Sequence, residues 1–314
     1  MSNYFVGIDL GGTRIKIGLV SGDVILSRKI VAADAAGGLA ASLPVLEQEI
    51  DGLLQCAGTG VQALSGVGLA FPGIVDPVGQ RILSTNQKYD DAMQVDVPGW
   101  VKKRWNVPFF IDNDARMAAV GEWKYGAARD TDNMVMMTIG TGIGSSAVIE
   151  GKVLWGRHFQ AGVLGGHISI RYDGRPCNCG NIGCIEAYGS TWCLAETVRS
   201  AEDYAASVLA AAPVIDYYAL FEAAAKGDRL AIRIRQECLD IWAAGVVNLI
   251  HAYDPEVVVI GGGVMSRPDE LLPYITERVG RHAWTPWGKP AIRATALHSD
   301  AGILGVIYCL QHNI

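Results

Sequence analysis

The chain has 314 residues, half of them hydrophobic, only 18% charged, and a net charge of −6. Such a chain is long for one core, suits two domains, and excludes a disordered class. No basic stripe offers a footprint for a phosphate backbone, so nucleic acid is not an expected partner, while small anionic ligands held by local dipoles are allowed.

The first residues run straight into a strand without a basic leader, and no apolar run is long enough to span a bilayer, so a cytoplasmic protein without a membrane partner is expected. Tyr4–Leu10 is a β-rich run that contains Asp9 and meets Gly11-Gly12-Thr13. Arg14–Val20 sets Ile15, Ile17 and Leu19 against Lys16, the period of a half-buried strand. A turn at Ser21-Gly22-Asp23 joins it to Val24–Val31, which predicts an antiparallel pair. Leu39–Leu54 has helical spacing, Gly66–Phe71 is a buried strand stopping at Pro72-Gly73, and Val107–Ile111 is another that runs into Asp112-Asn113-Asp114. Ala115–Tyr125 is a helix. The pattern then begins again, with strand Met134–Ile139, loop Gly140-Thr141-Gly142-Ile143-Gly144 and returning strand Ser145–Ile149. Helical stretches come next near Ile185–Ser200, Ile215–Ala225 and Leu230–His251, then strand Glu256–Ile260, helix Leu271–His282, strand Ala291–Ala296 and closing helix Ala301–His312. Strand, glycine turn, antiparallel strand thus occurs twice. Two similar α/β halves facing a cleft are expected, joined by a tight hinge near Asp112.

Five motifs carry chemistry. In Asp9-Leu10-Gly11-Gly12-Thr13 the glycines let the backbone approach a phosphate, Thr13 adds a hydroxyl, and Asp9 suits magnesium directly or through water; alone, the motif is equally a hairpin turn. Thr138–Gly144, with Gly140, Thr141 and Gly142 at its centre, repeats that design, and two such loops can grip a triphosphate. The strand before Gly261, Gly262 and Gly263 ends in backbone bare enough for a flat adenosine. Asp114 follows a buried strand and opens a helix, as a catalytic base does, although Asp is also a common N-cap. His167, Cys177, Cys179 and Cys184 form H-x₉-C-x-C-x₄-C, a closed set of three thiolates and one imidazole for structural zinc. The remaining thiols, Cys56, Cys193, Cys238 and Cys309, are scattered as buried thiols are in a reducing compartment.

Together these motifs resemble the ROK family of sugar kinases and sugar-responsive repressors along nearly the whole chain. Asp9–Thr13 is similar to that family's first phosphate motif, and Cys177–Glu186 to its C-x-C-G-x-x-G-C-x-E signature. The resemblance implies an α/β, actin-like ATPase (ribonuclease H-like) fold with two domains around a hinged cleft. Domain boundaries are expected at 1–112, with a C-terminal helix at 300–314 packing back on it, and at 113–299 for the larger domain with the zinc loop. It implies ATP with Mg2+, structural Zn2+, a sugar substrate and a homodimer. Asp114 would take the proton of a sugar hydroxyl, usually the one on C6, as that oxygen attacks the γ-phosphate. Asn113 and Glu186 would hold sugar hydroxyls, and His167 would bind zinc and orient the sugar through its other nitrogen. Gly73, Thr85 and Asn86 would line the sugar pocket.

One departure stands out. The family usually shows G-E-x-G-H before the metal loop, its Glu binding hydroxyls near C1 and C2, whereas here Leu164 occupies the Glu position in Gly162-Val163-Leu164-Gly165-Gly166-His167. Unmodified glucose is therefore a less secure expectation. Two other readings compete: a DNA-binding repressor, for which the eight residues before Asp9 leave no room, and a non-catalytic sugar-sensing regulator, against which Asp114 and the glycine loops count.

Overall fold

The structure is a computed structural model and describes residues 3–314. It divides into two compact units. Unit 1 holds the chain up to Asp132, Glu150–Val163 and Ala296–Ile314, and unit 2 holds Asn133–Ile149 and Leu164–Thr295. The boundary expected after residue 112 falls inside unit 1, as does the expected hinge, because Asp112 is fully buried there in an ion pair with Arg116.

In unit 1, β1 (Tyr4–Leu10), β2 (Arg14–Ser21) and β3 (Val24–Ala32) form an antiparallel meander. Helix α1 (Leu39–Cys56) leads to β4 (Leu64–Phe71), parallel to β1. A hairpin of β5 (Gly73–Asp76) and β6 (Arg81–Thr85) and a helix α2 (Val97–Trp105) precede β7 (Phe109–Asn113), which pairs parallel with β4. The sheet order is β3-β2-β1-β4-β7. Apolar periodicity leaves this hairpin and α2 unassigned, since Pro98 and Gly99 break the pattern in the first turn of α2. That turn is sound nonetheless: the Asp96 side chain accepts from Gly99 N–H, and proline is tolerated where no intrahelical donor is needed.

The two faces of this sheet differ. On one face Val6, Ile8, Leu10, Ile15 and Ile17 pack with Leu46 and Ile50 of α1 into the larger core. On the other, Gly18, Gly7 and Gly68 lie directly opposite one another on β2, β1 and β4. A Cβ on any of the three would come within 2.9 Å of Ile303 or Val306 of the closing helix α9 (Ala301–His312). Helix α9 therefore docks on a smooth strip of backbone and packs against α3 (Asp114–Tyr125). Residues 150–163 also belong to this unit and contain a two-residue strand, β10 (Lys152–Val153), which is not part of its sheet.

Unit 2 repeats the topology. Strands β8 (Met134–Ile139) and β9 (Ile143–Ile149) are antiparallel, and β11 (Val257–Gly261) and β12 (Ala291–Ala294) add on parallel, in the order β9-β8-β11-β12. The helix expected over 185–200 is two, α4 (Glu186–Gly189) and α5 (Thr191–Arg199), because Ser190 is extended and the Gly189 carbonyl turns to accept from the Trp242 indole at 2.8 Å. Helices α6 (Tyr217–Ala225), α7 (Arg229–Tyr253) and α8 (Pro268–His282) pack side by side. Among the described residues no helix is long and apolar enough to cross a membrane.

The buried Asp112–Arg116 pair constrains the junction of β7 and α3. Arg116 bonds Asp112 at 2.5 Å and the carbonyl of Phe159 at 2.9 Å, and the Trp155 indole donates to the other Asp112 oxygen at 2.9 Å. Removing one partner leaves the other charge buried and unpaired. Arg116→Met is expected to lower unfolding free energy by about 3–5 kcal/mol, and Asp112→Asn with Arg116→Met by less than the single change, read from denaturant midpoints.

Candidate active site

The β7–α3 junction places the acid singled out in the sequence. Asn113, not Asp114, caps α3: its side-chain oxygen accepts from Arg116 N–H at 3.0 Å. Its amide nitrogen donates to Gly73 O at 2.9 Å and to Asp114 Oδ1 at 3.2 Å. Asn113 thus has both amide hydrogens committed to the fold, so it can meet a ligand only as an acceptor. The capping role that competes for Asp114 is filled by its neighbour. Asp114 Oδ1 also accepts from Ala115 N–H at 2.8 Å. Burial raises the Asp114 pKa to about 6 and the negative charge of Asp9 adds to the effect, while Lys88, the Ala115 N–H and Lys16 oppose it.

Around this acid, unit 1 gathers several residues that are distant in sequence. Loop 11–13 closes with Gly11 N–H bonded to Arg14 O at 3.0 Å. Asp9, at the end of β1, holds Lys16 through Oδ2 at 2.7 Å, which leaves Oδ1 outside that ion pair. A magnesium ion needs one or two carboxylates beside substrate phosphates, and Asp9 fits that demand. In the β5–β6 hairpin Gly73 lies directly opposite Thr85, whose hydroxyl donates to Asp90 at 2.9 Å, and Asn86 comes next at the hairpin's end. Gly73, Thr85, Asn86, Asn113 and Asp114 therefore share one end of the unit. Tyr89 carries no motif that singles it out in the sequence. It is fully buried, donates to Gly11 O at 2.9 Å, and stays protonated because burial, with Asp34 and Asp9, pushes its phenol up to about 12.

In unit 2, loop 140–142 closes as its counterpart does, with Gly140 N–H bonded to Gly142 O at 3.0 Å. The carbonyls of Gly140 and Thr141 accept from Thr191 and Trp192 at the start of α5. Gly262 has φ 90°, and a Cβ there would collide with the Ile139 backbone, so Gly261-Gly262-Gly263 passes bare backbone close to the end of β8. Glu186 is the least foreseen arrangement. It is buried; Oε2 accepts from Ile143 N–H at 2.7 Å, and Oε1 has no partner among the described residues. One oxygen braces the second glycine loop and the other awaits a donor, and an unpaired buried carboxylate oxygen is costly unless a ligand fills it.

Two residues before Glu186 the metal motif closes. The donor atoms of His167, Cys177, Cys179 and Cys184 all lie within 4.8 Å of one another. Cys177 Sγ is 3.7 Å from His167 Nδ1, and Cys179 Sγ is 3.7 Å from Cys184 Sγ. A tetrahedral ion with bonds of ~2.3 Å sets its ligands ~3.8 Å apart, so the four donors fit one. His167 faces the thiols with Nδ1, which leaves Nε2 on the far edge of the ring. Leu164, at the start of the turn that carries His167, is 39% exposed.

The sequence profile of the ROK family matches residues 5–313. A glucokinase of Thermotoga maritima is 32% identical over 98% of this chain and 98% of its own. The xylose repressor of Bacillus subtilis is 25% identical over 77% of this chain and 60% of its own. The crystal structure of a ROK family glucokinase from Streptomyces griseus in complex with glucose and AMPPNP superposes with a TM-score of 0.80 at 27% identity, covering 99% of this chain and all of that one. The α/β architecture with mixed sheets is that of these actin-like kinases.

Proposed function

The chain belongs to the ROK family, and we propose that within it this protein is an ATP-dependent sugar kinase acting on a hexose or hexose derivative, at the C6 hydroxyl by the family resemblance. The observation that carries this reading is Asp114: relieved of capping by Asn113, raised to about 6, and set beside the first glycine loop. A sensor that only binds sugar has no need of a carboxylate so poised. That favours the kinase over the regulator reading that the repressor relative suggests.

In the proposed reaction the sugar oxygen bonds to the γ-phosphorus while its proton passes to Asp114. The bond from phosphorus to the β,γ-bridging oxygen breaks, and its electron pair leaves with ADP. Gly11, Gly12 and Thr13, with Gly140, Thr141 and Gly142, present backbone and hydroxyl donors to phosphates, and Gly261–Gly263 accommodate the adenosine. Asp9 would hold Mg2+ directly or through water, which when bound neutralises phosphate charge. Gly73, Thr85 and Asn86 line the sugar pocket, Asn113 positions Asp114, and Glu186 Oε1 accepts a sugar hydroxyl. His167, Cys177, Cys179 and Cys184 would bind structural Zn2+, fixing Glu186 and the imidazole Nε2.

Asp114→Asn is expected to lower kcat by ~10²–10⁴-fold with ATP binding retained, since an amide keeps the shape and accepts no proton. Retention of more than a tenth of wild-type turnover removes Asp114 as base. The wild-type kcat/KM should fall about tenfold per pH unit below about 6, as the base becomes protonated, and this limb should vanish from the residual activity of the variant. The folded chain binds this proton more tightly than the unfolded chain, so ionising Asp114 costs stability as pH rises from about 4 to 6. The amide variant avoids that cost and should melt no lower than wild type at neutral pH.

For the metal, elemental analysis should find one zinc per chain. Cys179→Ser should lower the melting temperature and raise KM for the sugar more than KM for ATP, because the loop carries Glu186. Metal-free protein with full stability and activity overturns the assignment.

Leu164 governs the choice of sugar. A carboxylate there would hold a hydroxyl through a charge-assisted bond, and leucine offers no acceptor. The expected substrate is altered near C1 or C2: an N-acetylhexosamine, a glycoside or disaccharide, or a hexose of different stereochemistry. A kcat/KM panel should show that preference in wild type, and Leu164→Glu should move the ratio toward glucose by roughly tenfold or more. Wild type that prefers unmodified glucose across the panel refutes it.

A further inference from the structure

The first glycine loop of unit 1 has a lysine above it with no part in the reaction so far. A Cβ built on Gly12 would lie 2.9 Å from Lys88 Cε and 3.5 Å from its Nζ. Lys88 is half-buried. Its ammonium forms no ion pair within 4.0 Å among the described residues. Lys16, the other lysine near this loop, is committed to Asp9 at 2.7 Å. Lys88 also lies within electrostatic reach of Asp114.

Its placement is held against backbone preference. Gln87 and Tyr89, on either side, have φ 56° and 55°, a left-handed region that non-glycine residues avoid. Such conformations persist where the surroundings over-determine them, and they gather at ligand clamps. Here Tyr89 N–H bonds Ala35 O at 2.8 Å and its hydroxyl bonds Gly11 O at 2.9 Å. Two residues on, the Asp91 carboxylate accepts from Leu39 N–H at 2.6 Å and Ala40 N–H at 3.0 Å, at the start of α1. Segment 87–91 is thereby pinned to the glycine loop and to α1 at once, with Lys88 carried over the loop.

We propose that Lys88 is a second catalytic residue, whose ammonium binds the oxygens of the γ-phosphoryl group during its transfer from ATP to the sugar. The inference rests on the kinase reading. In-line attack puts the transferring phosphorus next to the oxygen that Asp114 deprotonates. A cation that reaches both the glycine loop and Asp114 therefore belongs at the γ-phosphoryl group, not farther along the nucleotide. Lys88 keeps its proton throughout: the sugar proton goes to Asp114, the new P–O bond forms as the bond to the β,γ-bridging oxygen breaks, and ADP leaves with that electron pair. The lysine neutralises charge on the non-bridging oxygens, where a fixed donor counts most in the transition state.

The test uses Lys88→Met, which keeps the stem over Gly12 and removes the charge, and Lys88→Arg, which restores a cation. Calorimetry with a non-hydrolysable ATP analogue and with ADP reads γ-phosphate contact without turnover, and kcat is measured with the best sugar of the panel. Lys88→Met should weaken the analogue about tenfold or more and leave ADP within about twofold, with kcat down about 100-fold or more. Preserved ADP affinity also reports an intact fold. Lys88→Arg should recover part of both losses. Equal loss of analogue and ADP, unchanged kcat, or a rise confined to the KM of the sugar each overturns the assignment. Wild type that binds neither nucleotide and phosphorylates no sugar defeats the kinase reading itself, whereas an active wild type matched by Lys88→Met defeats only the role of Lys88.

Discussion

The ion pair between Asp112 and Arg116 sets the geometry on which the candidate site in unit 1 depends. Both side chains are wholly buried, and their charges are tolerated because both Asp112 oxygens and the two terminal nitrogens of Arg116 are hydrogen-bonded, while Arg116 Nε has no partner among the described residues. Asp112 lies within β7 and Arg116 in the first turn of α3, one helical turn apart. Their bond fixes the angle at which strand becomes helix, and Asn113 and Asp114 occupy that corner. The same guanidinium reaches the carbonyls of Phe159 and Ala161, and the same carboxylate the Trp155 indole. The strand that offers the acid, the helix after it and the segment leading to Leu164 are thus tied at one buried point.

A second constraint is steric. The row Gly18–Gly7–Gly68 lets α9 sit on the sheet at backbone distance, and α9 in turn supports α3 through close contacts at Gly121 and Gly305. Glu122 of α3 accepts from Ala127, Ala296 and Leu297 N–H, so the chain's return into α9 is anchored to the helix that begins with Asp114. Asp114 is held from its own junction and from the far end of the sequence. That rigidity is what an acid raised to about 6 by burial requires, since water admitted by a looser helix would return it toward its ordinary value.

Unit 2 holds its glycine loop through residues of its own. Its second glycine loop is braced by Glu186 through Ile143 N–H and by the first turn of α5, and Glu186 in turn lies just past the metal motif in sequence. The Cys/His cluster, Glu186 and the second glycine loop thus follow one another through one short stretch of chain and one hydrogen bond. The exposed Leu164 stands at the start of the turn that carries His167.

Period and local chemistry were enough to determine much of this protein from the sequence. Alternation marked β1 and β2, buried apolar runs marked β4, β7, β8 and β11, and glycines at strand ends marked both glycine loops. The spacing of His167, Cys177, Cys179 and Cys184 marked the cluster of four donor atoms because such clusters are built over short stretches of chain. The sequence did not reveal what depends on partners far along the chain. Pro98 and Gly99 hid α2, whose cap comes from Asp96. Asn113 rather than Asp114 caps α3, and its amide nitrogen is also taken by Gly73 O, a partner far back in the chain. Glu186 gained its bond to Ile143, and Lys88 its place over Gly12, only through folding. Residue type states which chemistry is possible, and tertiary structure decides which groups are buried and which of their bonds are already taken.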